Sequence, residues 1–137
     1  MRLILDTNIY IYAFATTQKP SCRAVINLLA TSPLEYTLRI PRTIVTEVRR
    51  NSAPEVFREF FEFVSDITII DEDFLIPFEL GAKYEARGFK PADAFIAAYA
   101  EWVGADALVT ENRHFLKHNP ALPFKVLTAD KCLKLIY

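Results

Sequence analysis

The sequence predicts an α/β protein, a three-layer α/β/α sandwich with a central, mainly parallel sheet. Two short runs, at residues 2–6 and 106–110, are almost continuously apolar rather than alternating, as in strands covered on both faces. Strand-like and helix-like segments alternate along the chain with no repeat and no linker. Pro20, Pro41, Pro54 and Pro91 stand at or next to helix openings, where a missing amide hydrogen costs nothing.

Taken in order, Leu3-Ile4-Leu5 forms a first central strand that ends on Asp6, with Asn8 at a helix start behind it. Helical patterns cover residues 20–30, 41–50, 54–64, 74–86, 91–102 and 129–136, and further strands cover 36–40, 67–70 and 124–127. Gly88 and Gly104 fall where helix ends are expected. The chain of 137 residues is expected to form one domain, 1–137, large enough for a substantial core.

Composition narrows the function classes. The hydrophobic share is 52%, with 11 Phe and 6 Tyr, yet no apolar run approaches the ~20 residues of a membrane-spanning helix. Met1-Arg2-Leu3-Ile4-Leu5-Asp6 reaches charge too soon for a signal peptide, so the cytoplasm is the expected location. Cys22 and Cys132 lie far apart without paired spacing, which indicates neither zinc nor a disulfide framework. With 16 basic and 17 acidic side chains the net charge is -1, against tight binding of duplex nucleic acid by charge alone.

Three acids carry the chemistry. Asp6 ends a buried strand, Glu47 borders the apolar arc Ile44, Val45 and Val48, and Asp93 opens the apolar helix Ala94-Phe95-Ile96-Ala97-Ala98. At about 100° per residue Glu47 falls roughly 60° from that arc, at the rim of the core. Ligands of open parallel sheets bind beyond the carboxyl ends of strands, where Asp6 and Thr110-Glu111-Asn112 both lie. Ionised carboxylates beside buried surface need an offsetting positive charge. Two of them ~4 Å apart repel by about 4 kcal/mol at an effective dielectric of 20, which a bound divalent cation would reverse. Without metal, such a cluster should carry a raised carboxyl pKa. Each acid also has an ordinary reading: a helix cap for Asp6, a solvated glutamate for Glu47, a first-turn acid for Asp93.

Leu5-Asp6-Thr7-Asn8-Ile9, Thr46-Glu47-Val48, Pro91-Ala92-Asp93-Ala94-Phe95-Ile96-Ala97-Ala98 and Gly104-Ala105-Asp106-Ala107-Leu108-Val109-Thr110-Glu111-Asn112-Arg113-His114-Phe115 together resemble the successive motifs of PIN-domain ribonucleases. The resemblance spans nearly the whole chain and is strongest to the VapC-like toxins of type II toxin-antitoxin pairs. It implies metal-dependent endonucleolytic cleavage of RNA, with Asp6, Glu47 and Asp93 at the acidic ligand positions, and an antitoxin partner. The chain departs from the family at the fourth acidic position, which holds Asn112 with Glu111 beside it; Asn112 could still hold a metal-bound water and Glu111 could partly substitute, but a second metal would be held more weakly.

Oxygen ligands without Cys or a His pair point to Mg²⁺, with Mn²⁺ as the alternative. Asp6 and Asp93 are the expected direct ligands, with Glu47 binding directly or through water; Asn8 and Thr110 would orient the carboxylates. Arg39, Arg42, Arg49 and Arg50 bracket the Glu47 helix, and Arg49 and Arg50 are the better candidates for RNA phosphates. His114 and His118 stand four apart without a sustained helical pattern, so no metal pair is expected. Phe57, Phe60, Phe61, Phe63 and Val64 exceed one core-facing stripe, which suggests a surface for a second copy in a homodimer or for an antitoxin segment. Two other functions fit: a PIN-fold nuclease acting in RNA maturation or on structured DNA without an antitoxin, and a catalytically weak RNA-binding or interaction module. A receiver-like or phosphatase reading of Asp6 lacks the companion acid or lysine it needs.

Overall fold

A computed structural model of the chain describes residues 1–117 and 121–136. Strand β1 (Arg2–Leu5) leads into helix α1 (Thr7–Phe14), then α2 (Pro20–Thr31), β2 (Thr37–Pro41), α3 (Arg42–Arg50), α4 (Pro54–Ile67) and β3 (Ile70–Asp71). A 3₁₀ turn (Asp73–Leu75) precedes α5 (Phe78–Ala86) and α6 (Pro91–Trp102), followed by β4 (Ala107–Val109), α7 (Arg113–Lys117), β5 (Lys125–Leu127) and α8 (Ala129–Ile136). Among the described residues five strands lie in the order β3-β2-β1-β4-β5, and every neighbouring pair is parallel.

Why β1 is central follows from its residues: Leu3, Ile4 and Leu5 have no exposed surface, so both faces of the strand must be covered. Helices supply that cover in two groups. Helix α1 packs on α2, α3 and α4, with α8 joining through α2, while α5 packs on α6. The chain first builds outward from β1 through β2 to β3, then crosses back to place β4 on the opposite side of β1. The reversal falls between β1 and β4, where an open α/β sheet parts into a cleft at its carboxyl edge.

The α/β/α sandwich and most segments match the sequence reading, and four local differences have physical causes. Helix α1 is signalled only by a helix start at Asn8 and is not among the expected helical spans, because Ile9, Tyr10, Ile11, Tyr12 and Phe14 are β-branched or aromatic and favour strands. Burial overrides that preference: Ile9, Tyr10, Ala13 and Phe14 form one buried face. Helix α4 runs on to Ile67, since Phe60, Val64 and Ile67 continue one stripe, and the expected strand 67–70 shrinks to Ile70–Asp71. The helix expected over 74–86 is split at Pro77, whose ring cannot sit inside a helix. Arg113–Lys117 forms a short helix around buried Phe115.

The phenylalanines of α4 are a further correction. Phe60 and Val64 have no exposed surface, and Phe57 and Phe63 are partly buried against the core. Tyr10 meets Phe60 edge-on at 4.9 Å between ring centroids, and Phe14 lies 5.6 Å from Phe63. The surplus apolar surface of α4 therefore receives α1, and only Phe61 of the set, 38% exposed, faces outward.

Candidate active site

Asp6 stands at the topological reversal. Its amide donates to the Val109 carbonyl at 2.9 Å, extending the β1–β4 pairing by one residue. Its carboxylate then does two things. Oδ1 accepts from the Thr7 amide at 2.8 Å and caps α1, while Oδ2 accepts from the Thr110 hydroxyl at 2.8 Å. The cap and site readings of Asp6 are thus compatible, one oxygen serving each neighbour.

Thr110 is fully buried and gathers the surrounding residues. Its Oγ1 accepts from the Asn112 amide at 3.0 Å and from Asn8 Nδ2 at 3.5 Å, while the Asn8 side-chain oxygen accepts from the Glu111 amide at 3.1 Å. Asn112 Nδ2 reaches Asp93 Oδ1 at 3.5 Å, and its own Oδ1 accepts from the His114 amide at 3.0 Å. A neutral amide therefore faces Asp93 where a fourth carboxylate would repel it.

Glu47 joins from the other side. Its Oε2 accepts from the Thr7 hydroxyl at 2.5 Å, so consecutive residues, Asp6 and Thr7, bind the two ends of the arrangement. The sequence reading overlooked Thr7; its position directly after a strand-end aspartate was the available signal. Glu47 also lines a cavity of about 270 Å³ with Thr43, Thr46, Arg50 and Asp73.

Electrostatics link the three acids. Burial pushes the Asp6 carboxyl above its ordinary value; hydrogen bonds from Thr110 and Thr7 oppose the shift, and the negative charges of Glu47 and Asp93 add to it. The donor set consists of the carboxylates of Asp6, Glu47 and Asp93 with the Asn112 amide nearby, and such an all-oxygen set suits a hard cation such as Mg²⁺ or Mn²⁺. Among the described residues no three His, Cys, Asp or Glu side chains stand in an arrangement able to hold a metal ion.

The other expected participants divide. The Glu111 carboxylate pairs with Lys19 at 3.3 Å and accepts from the Ala129 amide at 3.4 Å, so it caps α8 and anchors α2. Substituting for the fourth acid would require it to leave both partners. Arg39 is committed as well: Nε and a terminal nitrogen hold Asp71 at 2.9 and 2.8 Å, and the Tyr99 hydroxyl donates to the same carboxylate. Burial raises the Asp71 carboxyl, but the bonds from Arg39 and Tyr99 outweigh it and leave it lowered. Arg42 pairs with Glu72 at 2.8 Å. Arg49 and Arg50 are exposed and have no ion-pair partner among the described residues. His114 is exposed on α7, and His118 lies outside the described residues. Cys22 and Cys132 are free and buried, each with its thiol pushed up to about 11, chiefly by burial.

A doubly wound parallel sheet with acids gathered at its reversal defines a class of cleft that handles polar or charged ligands. Within that class, the PIN domain family model matches residues 3–119, and the chain belongs to the PIN domain family, a family of nucleases. No curated protein matches it. Among solved structures it is similar to VapBC2 from Rickettsia felis bound to a DNA fragment from its promoter, with 22% identity, TM-score 0.65, and cover of 93% of this chain and 98% of that one. It is also similar to FitAcB from Neisseria gonorrhoeae, with 16% identity, TM-score 0.59, and cover of 93% and 97%. At these identities the likeness is one of fold. No helix among the described residues is long and apolar enough to cross a membrane.

Proposed function

We propose that the chain is a metal-dependent endoribonuclease, a single PIN domain over 1–137, acting in the cytoplasm as the toxin of a toxin-antitoxin pair. The observation that carries the reading is Asp6. It is a buried carboxylate at the sheet reversal, its pKa raised first by burial and further by the charges of Glu47 and Asp93. A soluble fold gains nothing in stability from that arrangement, whereas a nuclease needs it.

Asp6, Asp93 and Glu47 would hold Mg²⁺, or Mn²⁺ in its place. Bound there, the ion would supply Lewis-acid polarisation of the scissile phosphate and a more acidic attacking water. The chain's own residues supply orientation. Thr110 and the Thr7 amide fix the two oxygens of Asp6, the Thr7 hydroxyl fixes Glu47, and Asn112 steadies Asp93. Asn8 holds the loop after β4 against α1 through the Glu111 amide. Arg50, which lines the same cavity as Glu47, would contact a phosphate of the same strand.

The toxin reading leans on the similarity to VapBC2, described bound to a fragment of promoter DNA; an antitoxin is the partner it implies, and a homodimer is compatible with it. A second reading, a catalytically weak RNA-binding module, draws support from Asn112 at the fourth acidic position and from the lack, among the described residues, of three His, Cys, Asp or Glu side chains arranged to hold a metal ion. Incubating the protein with single-stranded RNA and Mg²⁺ separates the two. Cleavage that a chelator stops supports the nuclease, and intact RNA at stoichiometric protein supports the weak module.

A further inference from the structure

Helix α3 carries two adjacent stripes that meet at Thr46. On one, Thr43, Thr46, Glu47 and Arg50 line the cavity at the candidate site. On the other, Arg42, Val45, Thr46 and Arg49 face Phe57 and Phe61 of α4 across a groove of about 440 Å³. The groove is open and combines cations with aromatic surface. Phe61 is 38% exposed and its ring lies 5.7 Å from that of Phe57, tilted by 36°. Arg49 has no ion-pair partner among the described residues, while Arg42 at the far end is paired with half-buried Glu72. Arg42 and Arg49 are separated by about 10 Å along the helix at ~1.5 Å per residue.

We infer that this groove is a subsite for single-stranded RNA next to the cleavage position: a base stacks on Phe61 and its phosphate is held by Arg49. The inference rests on the ribonuclease reading for what happens at Glu47, and on the groove alone for where the strand runs. Three features favour a nucleic acid strand. Aromatic faces stack on any base, and guanidinium groups pair with phosphate oxygens, so the two side-chain types together match a single strand. The shared Thr46 makes the groove continuous with the cavity holding Glu47 and Arg50, so one strand can occupy both. The basic side chains also provide a local positive charge in a chain whose net charge is -1.

The subsite is tested by the affinity of oligoadenylates of increasing length, from 4 to about 12 nucleotides, for the full chain carrying Asp6→Asn, measured by fluorescence anisotropy in Mg²⁺. Three further variants are made in that background: Phe61→Ala, Phe61→Tyr and Arg49→Ala. Phe61→Ala is expected to weaken binding of the longer oligomers by about 5- to 100-fold, while Phe61→Tyr stays within about twofold of the parent. Arg49→Ala is expected to lower the slope of log affinity against log salt by about 0.7, the signature of one lost phosphate contact on a single strand. Thermal midpoints within a few degrees of the parent establish that each variant is folded. Parental affinity and salt slope in Phe61→Ala and Arg49→Ala overturn the inference, as does a parent that binds none of the oligomers. A protein partner lost on Phe61→Ala while RNA affinity is unchanged assigns the groove to that protein and overturns it equally. Cleavage by the wild-type chain, measured alongside, reports on the ribonuclease reading separately: it can succeed where the subsite fails, and the subsite can succeed where cleavage is absent.

Discussion

The Thr110 hydroxyl donates to Asp6 Oδ2 at 2.8 Å, joining the residue after β4 to the residue after β1 across the reversal of the sheet. Because Thr110 is fully buried and Asp6 is 9% exposed, the bond lies where water does not compete well. It holds the carboxylate in one orientation and opposes the effect of burial on its pKa.

Thr110→Val keeps the shape of the side chain and removes that donor. The variant is expected to lose about 10- to 100-fold in cleavage rate or metal affinity, as do other changes to residues that orient ligands. Stability should fall by about 1–3 kcal/mol, because Asp6, Asn8 and the Asn112 amide all lose a partner. Initial rates and urea unfolding check the two effects.

Asp6→Asn should raise stability at neutral pH while removing activity. The folded Asp6 carboxyl titrates above its ordinary value of 3.8, so its ionised form opposes folding. The burden is absent below about pH 3.8 and grows as pH rises through the folded value, so the gain from Asn should grow over the same window. Thermal melts across that window test it, with an expected rise of ~2–8 °C at pH 7. A variant less stable than wild type at pH 7 would show that the bonds to Thr7 and Thr110 outweigh the cost of burial.

Asp71 gives the opposite sign. Its folded value lies below 3.8, so its contribution is present in full above that pH and is lost as pH falls through the folded value. Asp71→Asn should cost about 2–4 kcal/mol at pH 7, since Arg39 and Tyr99 both lose their anionic partner in a largely buried setting. Urea titrations at pH 7 and pH 3 should show a difference from wild type that is smaller at pH 3 and shrinks further as pH falls toward the folded value.

Asn112→Asp restores an acid at the fourth position. Without metal the new carboxylate faces Asp93 in place of a neutral amide and should lower the thermal midpoint. With Mg²⁺ the added charge should be neutralised, so the metal-induced rise in midpoint should exceed that of wild type. The Mg²⁺ concentration for half-maximal cleavage should drop by about tenfold. Melts and cleavage assays across a Mg²⁺ series measure both.

Much of this arrangement was legible in the sequence because apolar runs and prolines mark the elements directly. Leu3-Ile4-Leu5 declares a doubly covered strand, and helix Pro91–Trp102 opens and closes where its proline and Gly104 suggest. What stayed hidden depends on contacts between distant segments. Helix α1 forms from strand-favouring residues because Tyr10 and Phe14 fit against Phe60 and Phe63, a match no local window contains. The positions of Asp6, Glu47 and Asp93 were legible as candidates, whereas Thr7 as the link to Glu47 was not. Nor could sequence say that Glu111 would be taken by Lys19 and the start of α8, or Arg39 by Asp71.

The proposal that Asp6, Glu47 and Asp93 together hold a divalent cation that drives RNA cleavage is open to a direct test. Its most direct measurement is Mn²⁺ binding, followed by electron paramagnetic resonance, on wild type and Asp6→Asn, with cleavage of single-stranded RNA recorded on the same samples. Wild type is expected to bind Mn²⁺ and cleave, and folded Asp6→Asn to lose both. Equal Mn²⁺ binding and equal cleavage by the two proteins would contradict it.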